Sequence, residues 1–398
     1  MYAAPAMTDF VFDPPQRILL GPGPSDVPAR VLSALARPTV GYMDRSYTDL
    51  LAALQVQLRG LFRTDNTETL TITGPGTAAM EAAIYNVVEA GDRVVCCVHG
   101  YFADRMRQMA ERCGGDVTVV SADWGKPVDA DALKAELARR GGAKLVTVTH
   151  GETSTGVRQP VADLSAAAHA HGALMCVDTV ASLGGVEFAM DDWDVDIAYT
   201  GSQKCLSVPP GISPISFSPR AMDVVRGRKT PCASWFLDLL ANLTVWERPN
   251  KYHHTGAVNL SYALHEGLRI IEEEGLGERI ARVQRTAEAM WAGLEAMGLP
   301  LVVDAAHRLP TLTTVRVPDG VDEARVRAEL MSGYGIEIAG GLGPFAGKVW
   351  RIGLMGASCS ARNVLLLLTA LEGALTEQGH GVSPRAGAAA ASERLNAG

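Results

Sequence analysis

The sequence predicts an α/β protein, with a large domain on a mostly parallel sheet covered by helices on both faces and a smaller α+β domain after it. Three observations carry this. From about residue 18 to 230, short β-branched runs alternate with longer helical stretches, the layout of βαβ units. A helix-rich stretch over about 260–297 then leads into a region of mixed strands and helices. The 398 residues are 47% apolar and 20% charged, the balance of an ordinary soluble globular chain long enough for two domains.

Taken in order, residues 1–18 are Pro- and Ala-rich without a period and read as an arm. Strands are expected at 69–73, 93–98, 144–149, 173–178 and 197–200, with a further one at 215–217. Helices fill 78–88, 102–112, 130–139 and 161–171. The large domain is placed at 19–277. The small domain, at 278–378, carries strands at 311–317 and 349–354 and helices at 323–334 and 361–378. The Gly-, Ala- and Ser-rich residues 379–398 are expected to form a disordered tail.

A net charge of -8 argues against nucleic acid as a partner, because such a binder needs a basic face to neutralise phosphates. It leaves room for a small anionic substrate in a locally basic pocket. The longest apolar runs, such as 364–371, are too short to span a bilayer, and residues 1–12 lack the layout of a secretory signal. The seven cysteines are odd in number and form no C-x-x-C pair. They read as reduced thiols, which places the protein in the cytoplasm with no membrane partner.

Three groups of residues carry chemistry. Gly201-Ser202-Gln203-Lys204 follows a strand, and a lysine at a strand end in an open α/β sheet points to the crevice where ligands bind. Lysine is the side chain that condenses with an aldehyde; alone, such a lysine is usually a surface residue. Asp178 ends the apolar run 173–177, where a carboxylate needs a cationic partner. A protonated pyridine nitrogen would serve; a plain helix cap before Val180 is the competing reading. Thr73-Gly74-Pro75-Gly76-Thr77 lies between a strand and a helix and suits an anion. Gly74, Gly76 and Ala79 also match a dinucleotide fingerprint. That reading is set aside because the next strand ends at Val98-His99-Gly100 with no carboxylate for a ribose.

These motifs together resemble the class V aminotransferases of pyridoxal phosphate (PLP) fold type I, and most of all the alanine–glyoxylate / serine–pyruvate aminotransferases. The resemblance rests on Gly151-Glu152-Thr153-Ser154-Thr155-Gly156, on Val177-Asp178 through Gly185, and on Gly201–Lys204. Leu20-Gly21-Pro22-Gly23-Pro24-Ser25, Tyr252-His253-His254-Thr255, Gly340-Gly341-Leu342-Gly343 and Arg351-Ile352-Gly353 extend it over about residues 17–378.

The resemblance implies a PLP enzyme that moves amino groups between a small amino acid, alanine or serine, and a small 2-oxo acid, glyoxylate or pyruvate. Lys204 would form the Schiff base and shuttle protons, and Asp178 would pair with the pyridine nitrogen. Gly76, Thr77 and Gln203 would hold the phosphate, Thr153 the phenolic oxygen, and Phe102 the ring face, where relatives have Trp. Some members have His in place of Thr77. Arg351 would clamp the substrate carboxylate beside Gly41 and Tyr42. Tyr252 and Thr255 would reach the phosphate of a neighbouring subunit, implying a homodimer with shared sites. The alternatives are another PLP chemistry such as cysteine desulfuration, for which only Cys359 lies in the C-terminal part, and a non-catalytic binding protein. The latter should lack Lys204, Asp178 or Arg351, and all three are present. No His or Cys set has metal-ligand spacing.

Overall fold

The computed structural model describes residues 11–247 and 250–397. Seven strands form the central sheet: β1 (Glu68–Thr73), β2 (Arg93–Val98), β3 (Asp116–Ser121), β4 (Leu145–Thr149), β5 (Leu174–Asp178), β6 (Ile197–Tyr199) and β7 (Ile212–Phe217). Their spatial order is β1-β7-β6-β5-β4-β2-β3. β7 runs antiparallel to both its neighbours, and the other pairings are parallel. Helices α1 (Gly76–Tyr85), α2 (Tyr101–Arg112), α3 (Ala130–Arg140) and α4 (Ala162–His169) make the crossovers.

Side chains alternate between the two faces of the sheet, and each face has its own core. Val94 and Cys96 of β2 join one cluster with Leu174 and Cys176 of β5, while Val95, Cys97, Met175 and Val177 join the other. Because both faces are covered, β4, β5, β6 and β7 are buried along their whole length. Such strands read as apolar runs, which is why the sequence locates β4, β5 and β6; of β7, interrupted by Ser213, Pro214 and Ser216, only 215–217 was expected. β3 was not expected. It lies at the sheet edge and only Val120 of its residues is buried, so its apolar signal is weak.

Two long helices follow, α5 (Val258–Glu274) and α6 (Leu276–Ala296). Beyond them β8 (Leu312–Arg316), β9 (Ala339–Gly340) and β10 (Val349–Gly353) form a small antiparallel sheet in the order β8-β10-β9. It packs with α7 (Glu323–Tyr334) and α8 (Ala361–Glu377) around a separate core. Of the arm expected at 1–18, residues 1–10 lie outside the described residues. Ile18–Leu19 is already a strand, paired in parallel with Ile336–Glu337. Leu20 sits in the C-terminal core, so the start of the chain packs with its end.

The expectation of a disordered tail over 379–398 is corrected: Ala386–Asn396 forms a helix, α9. Its alanine-rich composition reads as low complexity but also has the highest helix propensity. Small residues then let it dock closely on α6. A Cβ at Gly387 would come within 2.5 Å of Met297 Sδ, and one at Gly293 within 2.9 Å of Gly387 O. Ala391 is fully buried at this contact.

Candidate active site

The parallel strands end at one edge of the sheet, and their register lines up the chemistry. Thr149 of β4 stands opposite Asp178 of β5, and Asp178 opposite Tyr199 of β6. Lys204 lies in the loop after β6. That loop is pinned by Ser25, whose N–H donates to Gln203 O (2.8 Å) and whose Oγ donates to Lys204 O (2.7 Å). The segment around Pro22 and Gly23 crosses directly over the lysine, and Lys204 Nζ donates to Pro22 O. Gly23 has φ +107°, and a Cβ there would meet Lys204 Nζ at 2.4 Å. Only glycine satisfies both conditions.

A cleft opens beside these residues, lined by Gly76, Thr77, Phe102, Arg105, Thr149, Thr153, Asp178, Gln203 and Lys204 among others. Asp178 is 3% exposed. Val180 N–H donates to its Oδ1 at 2.8 Å, yet burial pushes its pKa up to about 7. The Glu152 carboxylate raises it further, while Tyr199 and Lys204 act in the lowering direction. The Tyr199 hydroxyl itself is buried without a well-formed hydrogen bond. Asp178 therefore lacks the cation that would keep it ionised. Burial lowers the Lys204 pKa to about 8, opposed by Cys205 and Asp178 and reinforced by Arg351 and Arg105. This amine is thus more readily deprotonated than an ordinary lysine and about half unprotonated near pH 8, as a nucleophile requires.

Arg351, 6% exposed, lies in β10 and donates from Nε to Gly340 O (2.7 Å) and from Nη1 to Thr153 O (3.1 Å). Two carbonyls hold the guanidinium in one orientation, and burial works against its charge. Gly41 and Thr255 are exposed, and Tyr252 is 59% exposed with its ring 5.0 Å from that of Tyr42. These four residues do not line the cleft within one chain.

Sequence reasoning gave no role to two residues that shape this site. Glu152 is fully buried. Its carboxylate accepts from Phe102 N and Ala103 N at the start of α2 (both 3.0 Å) and from Ser154 N (3.0 Å) and Ser154 Oγ (2.7 Å). Ser154 Oγ in turn accepts from Tyr101 N (2.9 Å). This caps α2 from outside the helix and fixes the wall bearing Phe102. Gly100 belongs to the same fit, since a Cβ there would strike Glu152 Cγ at 2.4 Å. Arg105, on α2, donates to Thr77 Oγ1 at 3.1 Å. A carboxylate just past the fully buried strand β4, after His150 and Gly151, was the visible clue to Glu152. Nothing local marks Arg105.

The cleft fits PLP on its own terms. It offers a buried carboxylate short of a cation, a buried amine beside it, and the N-terminus of α1 with Gly76 and Thr77. Gln203 lines the same cleft with its Oε1 buried and unpartnered. The chain belongs to the class V aminotransferases: the family profile Aminotransferase class-V matches residues 19–350. Its fold is that of the PLP enzymes of fold type I, and its cofactor is pyridoxal 5'-phosphate. Among individual relatives, the chain is 41% identical over 365 residues to alanine–glyoxylate aminotransferase of Callithrix jacchus, covering 91% of this chain and 88% of that one. The solved ureidoglycine–glyoxylate aminotransferase of Bacillus subtilis matches with TM-score 0.95 at 38% identity, over 97% of this chain and 99% of that one. The solved alanine–glyoxylate aminotransferase of Nostoc sp. matches with TM-score 0.90 at 43% identity, over 94% and 100% respectively.

Proposed function

We propose that this aminotransferase takes its amino group from a small neutral amino acid, alanine or serine, and delivers it to glyoxylate or pyruvate. The observation that carries the reading is the count of cations in and next to the cleft, where Arg351 donates to the carbonyl of the wall residue Thr153. Arg351 is a single two-point clamp for one carboxylate. Besides Lys204, the only cation lining the cleft among the described residues is Arg105, which stands beside Thr77 at the start of α1. Arg45 is 94% exposed and lies 3.8 Å from Asp49. A dicarboxylate donor such as glutamate has no second clamp.

In this reading PLP supplies an aldehyde and an electron-withdrawing pyridinium ring. Asp178 keeps the ring nitrogen protonated by opposite charge. Lys204 Nζ provides the amine and then carries a proton to and from the substrate carbon. Gly76, Thr77 and Gln203 hold the phosphate, Thr153 the phenolic oxygen, and Phe102 covers the ring. Arg351 serves donor and acceptor in turn, with Gly41 and Tyr42 on the substrate side. Tyr252 and Thr255 complete the site of a second subunit in a homodimer. The seven free thiols suit a cytoplasmic setting. No described helix is long and apolar enough to cross a membrane.

Desulfuration finds no support, because Cys359 is 2% exposed and burial raises its pKa, the opposite of a mobile thiolate. A second reading, ureidoglycine as donor to glyoxylate, is favoured by the Bacillus subtilis relative. It shares the acceptor and the single-carboxylate geometry. A matrix of alanine, serine, glycine, ureidoglycine and glutamate against glyoxylate, pyruvate and 2-oxoglutarate decides between them. Alanine or serine with glyoxylate or pyruvate is expected to be fastest. Faster turnover of glutamate with 2-oxoglutarate would overturn the single-clamp argument and leave the cofactor chemistry intact.

A further inference from the structure

We propose that Arg105 supplies the positive charge that balances the cofactor's phosphate. The proposal rests on the PLP site described above and adds a residue to it.

The argument begins with the partners of each arginine. Arg279, Arg282 and Arg220 also touch buried surroundings, and each has a carboxylate partner: Glu274 at 2.8 Å, Glu274 at 2.5 Å and Asp196 at 2.9 Å. Arg105 is different. Its guanidinium meets Thr77 Oγ1 at 3.1 Å and the rings of Tyr101 and Phe102, with centroids at 5.4 and 4.9 Å. Among the described residues it has no carboxylate partner. A half-buried cation without a counter-ion has given up part of its hydration, and an anion in the cleft would offset that loss most fully. Arg351 is the one other cleft-side guanidinium in that condition, and its anion is the substrate carboxylate. One unpaired guanidinium lining the cleft and a second, Arg351, on the Thr153 carbonyl of its wall match a ligand system with two anionic groups.

Position then assigns Arg105 to the phosphate. Thr77 is the second residue of α1, whose first-turn N–H groups have no intrahelical acceptor. Gly76, Thr77 and Gln203 are neutral donors. A phosphate dianion held by neutral groups alone keeps most of its charge uncompensated, and a planar guanidinium with several free N–H groups is well matched to it. The two aromatic rings fix Arg105 against rotation and leave its remaining N–H groups for the cleft. Phe102, whose ring packs on the guanidinium, would thereby be steadied as a cover for the cofactor ring. One residue therefore couples phosphate binding to the placement of that ring.

A purely structural prop for Phe102 would behave differently, and cofactor binding separates the two. The full-length chain, freed of cofactor, is titrated with PLP and separately with pyridoxal, which has the same ring and aldehyde but no phosphate. Schiff-base absorbance reads the binding. In Arg105→Met and Arg105→Gln, PLP affinity is expected to fall about tenfold or more and pyridoxal affinity less than about twofold. Arg105→Lys keeps the charge and should hold the PLP-to-pyridoxal ratio within about threefold of the unaltered chain. Should Arg105→Met fail to fold, the comparison of Gln with Lys carries the same contrast. Equal weakening of both ligands, or unchanged PLP affinity in the neutral variants, overturns the proposal.

Discussion

Asp178 is the residue whose chemistry is most exposed to test. Burial raises its pKa to about 7, against about 4 in an unfolded chain. Between those values the folded, cofactor-free protein keeps a proton that the unfolded chain releases. The group's contribution to stability is thus fully present below pH 4 and is lost as pH rises through 7, by up to about 1.4 kcal/mol per pH unit. Urea unfolding of the cofactor-free chain and of Asp178→Asn at pH 5 and pH 7 checks this. The unaltered chain should lose stability relative to the Asn variant over that interval, and parallel pH profiles would count against the assignment. With cofactor bound, Asp178→Asn preserves shape but removes the charge opposite the ring nitrogen. Turnover is expected to drop roughly a thousandfold, at about 1.4 kcal/mol per decade.

Among the elements, α2 shows how a helix terminus can organise an active site. Its N-cap, Gly100, has no side chain to cap with, and the free N–H groups are met by Glu152 and Ser154, some fifty residues later in sequence. The negative carboxylate also suits the positive end of the helix dipole. Burial raises the pKa of Glu152 and four hydrogen bonds work against that rise. Glu152→Ala would leave these donors unmet in a dry environment. We expect a loss of at least about 3 kcal/mol, since bonds to a charged acceptor count for about 1.5–3 kcal/mol each. Thermal unfolding reads that loss. Glu152→Gln keeps one carbonyl oxygen and should lose less. Equal stability of the Ala variant and the unaltered chain would remove Glu152 from this role. α9 makes the complementary point: its docking depends on what is missing, the side chains of Gly293 and Gly387.

For the molecule as a whole, the unmatched feature is the surface carrying Trp235 at 70% exposure, Tyr252 at 59% and Leu240 at 42%. Trp235 packs on His253, the neighbour of Tyr252 in sequence, and Tyr252 and Thr255 remain outside the cleft of their own chain. The expected assembly is a two-fold homodimer. Sedimentation should show a dimer under assay conditions. A mixture of Lys204→Ala with Tyr252→Phe/Thr255→Ala protein tests the shared site more sharply. Each mixed dimer contains one intact site, so a random mixture of two inactive proteins should recover up to about a quarter of full activity. Failure to recover any activity, or a fully active monomer, would rule out composite sites.

Sequence alone determined the buried parallel strands, though not the edge strand β3, and the groups at their ends. β4, β5 and β6 are buried on both faces, which writes them as apolar runs, and Asp178 and Lys204 stand out where those runs stop. Gly76 and Thr77, Phe102, Thr153 and Gln203 lie within a few residues of the ends of β1, β2, β4 and β6 in turn. Backbone continuity therefore brings them to one edge. Tertiary structure alone decided the rest. Arg105 and Glu152 act through partners distant in sequence, Thr77 and Phe102, so their identity as unpaired cation and helix cap depends on packing. The C-terminal helix was hidden because alanine and glycine carry no hydrophobic period, and its order comes from the close approach their small size permits. Local patterning records which face of an element is buried; it does not record what lies on the other side of the contact.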